Sequence, residues 1–89
     1  MTEPQLSPIQ YPTEFPIKVR GRNAPGFTEK VLAIVRRHAP DFDPTPVQTR
    51  PSRKNSYLSV TCVIIATSRE QLDALYSALT SHPMVKIVL

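Results

Sequence analysis

"SYLSVTCVIIAT", residues 56–67, is the stretch around which the rest of the chain must arrange itself. Leu58, Val60, Cys62, Ile64 and Ala66 make one wholly apolar face. Tyr57, Ser59, Thr61, Val63, Ile65 and Thr67 make the other, in the two-residue period of a strand. A strand this long and this apolar belongs in the middle of a sheet. It therefore needs strands on both sides and a covering layer over its apolar face.

Working upstream, the turn "SRKN" leads back to "DFDPTPVQTRP", where Pro44, Pro46 and Pro51 surround Val47 and Thr49. Prolines cannot donate to a ladder, so this segment reads as an edge strand. Before it, Phe27, Val31, Ile34, Val35 and His38 fall on one helical stripe, which Pro40 ends. Asn23 reads as the cap of that helix and Pro25 as a residue of its first turn. In "EFPIKVRG", Phe15, Ile17 and Val19 alternate with Pro16, Lys18 and Arg20 as a half-buried strand. Pro16 marks the start of that strand or a position that owes no hydrogen bond.

Downstream, Thr67 with Glu70 matches a capping box, and Leu72, Leu75, Tyr76 and Leu79 repeat at helical spacing. "HPMVKIVL" closes the series as a strand, with Val85, Ile87 and Leu89 expected inward. The order βαββαβ with right-handed crossovers predicts an α+β, ferredoxin-like plait: a four-stranded antiparallel sheet with both helices on one face. Residues 14–89 form this single domain, and residues 1–13, with Pro4, Pro8 and Pro12, read as a flexible Pro-rich arm.

Eighty-nine residues bury only a small core, which favours a binding or regulatory module over a free-standing enzyme and favours dimerisation. Eleven Lys and Arg against seven Asp and Glu give a net charge of +4, too mild and too dispersed to demand a nucleic acid. The single Cys62 excludes an internal disulfide and a cysteine metal cluster. No segment has the length and apolarity of a membrane span, so the expected setting is the cytoplasm, without membrane.

Specific chemistry finds little support. "GRNAPGFT", residues 21–28, has the glycine spacing of a phosphate-binding loop, but Phe27 stands where the lysine should be. The RRM signature fails as well, since Tyr57 alone cannot stack two or three bases. That disfavours nucleic acid; the alternative contacts for one are Arg50, Arg53 and Lys54 of the hairpin. Nothing in the spacing brings Cys62, His38 or His82 into a nucleophilic triad, and Asp41 with Asp43 is too small a metal set. No catalytic residue, cofactor or metal is expected.

Several motifs together carry a resemblance. They are "FP" at Phe15–Pro16, "KV" at Lys18–Val19, "RHAP" at Arg37–Pro40, "PS" at Pro51–Ser52, Tyr57-x-Ser59-Val60, "AT" at Ala66–Thr67 and the final "VKIVL". From about Tyr11 onward the chain resembles the YbeD family, small bacterial proteins without assigned biochemistry. Where that family's hairpin usually carries glycine, Asn55 stands here, and Asn also tolerates a left-handed backbone. The resemblance implies a plait similar to the ACT domain, a module that binds small molecules and regulates metabolic enzymes. It further implies that Asn23, Ala24, Pro25 and Gly26 could contact a small metabolite such as an amino acid at a dimer interface. The open sheet face is expected to show Lys18, Arg20, Tyr57, Ser59, Thr61, Val63, Ile65 and Lys86 to a second copy or another protein partner. Val63 and Ile65 make that face more apolar than full exposure needs.

Overall fold

A computed structural model describes residues 10–44 and 46–89. Most of the Pro-rich arm expected over residues 1–13 lies outside the described residues. The elements are β1 (Thr13–Arg22), α1 (Phe27–His38), β2 (Gln48–Pro51), β3 (Tyr57–Ala66), α2 (Arg69–Thr80) and β4 (Val85–Val88). They form one antiparallel sheet in the order β2-β3-β1-β4, the plait expected from the order of elements. The long apolar strand β3 is central, and the proline-flanked β2 is an edge.

β1 and β3 pair over their full length, Thr13 opposite Ala66 through Arg22 opposite Tyr57. That register puts Ile17, Val19, Val60, Cys62, Ile64 and Ala66 on the face covered by the helices, all buried. Phe27, Val31 and Val35 of α1 and Leu72, Leu75 and Leu79 of α2 complete the core. Tyr11, just before β1, packs against it as well.

Pro16 sits inside β1, opposite Val63, and costs the sheet nothing. The N–H groups of Lys18 and Arg22 both point to the β4 side, donating to Leu89 and Met84 carbonyls at 3.1 Å. Pro16 shares their phase, and the pairing with β4 goes no further than Lys18, so no donor is missed there.

Three expectations change. The first concerns β4, whose register shifts between Arg20 and Gly21: Arg20 lies opposite Ile87, but Gly21 opposite Val85. Lys86 is the extra residue of a β-bulge, and it reverses the alternation beyond it. Val88 thus packs on the core, while Ile87 and Leu89, expected inward, turn to the open face. The second is the cap of α2. Ser68, not Thr67, is the N-cap: Ser68 Oγ accepts from the Gln71 N–H at 3.0 Å, and Gln71 Oε1 accepts from the Thr67 N–H at 2.7 Å. Gln71, rather than the exposed Glu70, reaches back, and its bond goes to the N–H of Thr67, the residue before the N-cap, so the pair is not a strict capping box. The third, the start of α1, belongs to the candidate site.

Cys62 is buried among aliphatic neighbours on β3, and burial pushes its thiol from 9.0 up to about 11. A shift of that size lowers the thiolate fraction near pH 8 about a hundredfold. The native chain should therefore resist iodoacetamide at pH 8 and react at once in denaturant, which mass spectrometry of the alkylated thiol would measure. Because the folded state keeps this proton longer than the unfolded one, Cys62 stabilises the fold fully below pH 9. That contribution is lost as pH rises toward 11.

Candidate functional site

Residues 24–27 are a type II turn. Phe27 N–H donates to the Ala24 carbonyl at 3.1 Å, with Pro25 second and Gly26 third at φ 84° and ψ −3°. Glycine enters that left-handed position without strain. Gly26 is itself the N-cap residue of α1, which has no side-chain cap, and Pro25 lies before the helix. Asn23 is therefore not the cap expected from the sequence. Its Nδ2 donates to the Asn55 carbonyl at 3.0 Å and its N–H to the Ser56 carbonyl at 3.1 Å. A side chain three residues ahead of the helix is too far from the free N–H groups, but within reach of the β2–β3 hairpin.

Asn55 holds the left-handed backbone expected for it, at φ 62°. Gly21 is required for space: a Cβ there would overlap the Met84 carbonyl oxygen and lie 2.5 Å from Phe27 Cε1. Both glycines of "GRNAPGFT" thus serve the backbone. Arg22, Asn23, Ala24, Ser56 and Tyr57 line a shallow depression of about 460 Å³ beside the turn. Pro25 and Gly26 are not among its lining residues.

The open sheet face is ordered into rows by the register. Arg22 and Tyr57 form one; Arg50, Ser59, Arg20 and Ile87 the next; then Gln48, Thr61, Lys18 and Leu89. Val63 with Pro16 and Ile65 with Glu14 follow toward the other end. Every residue expected on this face is there except Lys86, which the bulge leaves without a cross-strand partner. Arg20 lies over the Tyr57 ring at 5.2 Å from its centroid, a cation–π contact that occupies one side of the ring.

Among the described residues the exposed large hydrophobics are Val63, Ile65, Ile87 and Leu89, at 41, 45, 46 and 62% exposure. All four lie on the open face. Charge on this face is sorted by position. Lys18, Arg20 and Arg50 line one hollow with Ser59 and Tyr57. At the opposite end Glu14, Asp41 and Asp43 surround Val63 and Ile65. Arg53 and Lys54, grouped with Arg50 in the sequence, are exposed in the hairpin turn, while Arg50 joins the β1 cations.

Sequence reasoning missed Glu14, Ile87 and Leu89 on this face. Glu14 was legible, since it shares the outward phase of Lys18 and Arg20. Ile87 and Leu89 were hidden by the bulge. The approach of Asp41 and Asp43 to Val63 depends on how the long loop after α1 wraps the end of β3, for which no local pattern speaks.

The element order and the strand order of the sheet define a ferredoxin-type plait. The family described as "Protein of unknown function (DUF493)" matches residues 7–89, and the chain belongs to it. A UPF0250 protein of Nitrosomonas europaea is 56% identical over 89 residues, covering 100% of both chains. Among solved structures, protein HP0495 from H. pylori is similar with a TM-score of 0.73 at 13% identity, covering 100% of this chain and 94% of that one. The ACT domain from GTP pyrophosphokinase of Chlorobium tepidum superposes with a TM-score of 0.64 at 15% identity, covering 85% and 84%. At such identities the two structures establish the fold. No helix among the described residues is long and apolar enough to cross a membrane.

Proposed function

We propose that this chain is a non-enzymatic regulatory or protein-interaction module that works through the open face of its sheet. The observation that carries this reading is that two exposed aliphatic pairs, Val63 with Ile65 on β3 and Ile87 with Leu89 on the β4 side, lie on that one face, flanking β1. An antiparallel sheet can leave one face in water, but its outward positions are then normally polar. Aliphatic side chains held there gain about 25 cal/mol per Å² when a partner covers them.

The patch is aliphatic, and its one aromatic ring, Tyr57, already carries Arg20. Aliphatic groups pack against protein side chains but offer no stacking platform to bases, so the reading favours a protein over a nucleic acid. On the same reading the Asn23–Gly26 turn is a structural part. Its amide holds the hairpin, and Pro25–Gly26 makes the corner into α1.

The test introduces a charge into the patch. Val63→Asp and Ile65→Asp should abolish association, with itself or with a protein captured from the native cell, while the melting temperature stays within a few degrees. Light scattering at micromolar concentration and affinity purification measure this. A wild-type chain that is strictly monomeric and captures nothing overturns the reading.

A further inference from the structure

We infer that the occupant of the open face is the same face of a second copy of this chain, docked about a two-fold axis that crosses the strands near Ile17 and Cys62. The inference rests on the open face being the docking surface and adds what docks there. It starts from the sorting of charge along the strands. Arg20 and Arg50 lie on one side of the Ile17 level, and Glu14, Asp41 and Asp43 lie on the other.

A two-fold axis in the plane of contact, perpendicular to the strands, keeps each strand over its own copy and exchanges the two ends. Residues equally far from Ile17 along β1 then face each other, so Arg20 of one copy meets Glu14 of the other, twice by symmetry. On the β2 side, Arg50 comes over the end where Asp41 and Asp43 border Val63 and Ile65. Lys18 lies across from Pro16 and Val63, where its aliphatic stem can cover apolar surface while its ammonium stays wet.

An isologous interface needs a patch that is complementary to itself under rotation, and a face with cations at one end and acids at the other meets that condition. A uniformly acidic partner would satisfy only the basic end and set its charges against Glu14. A nucleic acid would meet the same repulsion.

The size of the face sets the strength. At strand spacings of about 4.8 by 3.3 Å per residue, β1 and β3, the two strands that extend on both sides of the axis, lay on the order of 300 Å² of flat sheet per copy against each other. Side-chain relief and the Arg50 contact on the β2 side add to this, but the total stays below about 1,200 Å², where stable interfaces begin. The expected assembly is a reversible dimer in the micromolar range.

Charge exchange tests the geometry. In sedimentation velocity over a micromolar concentration series, wild type should show a monomer–dimer equilibrium. Arg20→Glu alone and Glu14→Arg alone should each weaken it at least tenfold, because each sets like charges opposite one another. Mixing the two variants, or combining both changes in one chain, should restore it. Restoration in the mixture also shows that each variant is folded.

The inference is overturned by a monomeric wild type, by single variants that dimerise normally, or by a mixture that stays monomeric. If wild type is monomeric yet Val63→Asp removes capture of another protein, self-docking fails and the open-face reading stands. If neither self-association nor capture responds to any variant, both fail.

Discussion

Gly21→Ala is expected to destabilise the fold by about 3 kcal/mol, the upper part of the range for forcing extra atoms into a packed site. The added Cβ would overlap the Met84 carbonyl oxygen and lie 2.5 and 2.7 Å from Cε1 and Cζ of Phe27. The Phe27 ring is fully buried and has nowhere to swing. The Met84 oxygen is backbone, held by the Arg22 N–H at 3.1 Å, so moving it breaks the β1–β4 ladder beside the bulge. Small domains have only about 5–15 kcal/mol of stability, so the variant should unfold at a much lower urea concentration with an unchanged slope. A midpoint within experimental error of wild type would mean that β4 yields easily, contrary to this packing.

Phe27→Ala should cost about 3–5 kcal/mol, the range for truncating a buried aromatic. Phe27 is 1% exposed and is the first residue of α1, and its ring lies close to Gly21 of β1. Its loss leaves a cavity where helix, strand and bulge meet. Phe27→Leu, which keeps most of the volume, should recover more than half of the loss. Urea titrations of the two variants decide this. Equal destabilisation by Leu and Ala would show that the aromatic shape, rather than filled volume, is what the site requires.

These two residues also show how far the sequence could be read. Phe27 was legible as the head of the α1 stripe, because burial on a helix leaves a periodic trace. Gly21 was visible only as half of a misleading glycine pair. Its reason for being glycine is an approach by Met84, a residue 63 positions away in the chain. The candidate site divides the same way. The outward phase of Lys18, Arg20, Ser59, Thr61, Val63 and Ile65 follows from alternation along β1 and β3. The contribution of Ile87 and Leu89 does not, since one bulged residue at Lys86 reverses the phase of all that follows.

The sequence by itself determined the six elements, their order and hence the plait, and which faces of β1, β3, α1 and α2 are apolar. Each of these depends on periods of two or 3.6 residues, which are local. The tertiary structure alone decided the register of β4, the use of Asn23 on the hairpin instead of on α1, and the placing of Asp41 and Asp43 at one end of a face whose other end is basic. Those depend on distances between segments remote in the chain. Coulomb attraction and steric contact act through space, and no local period records them.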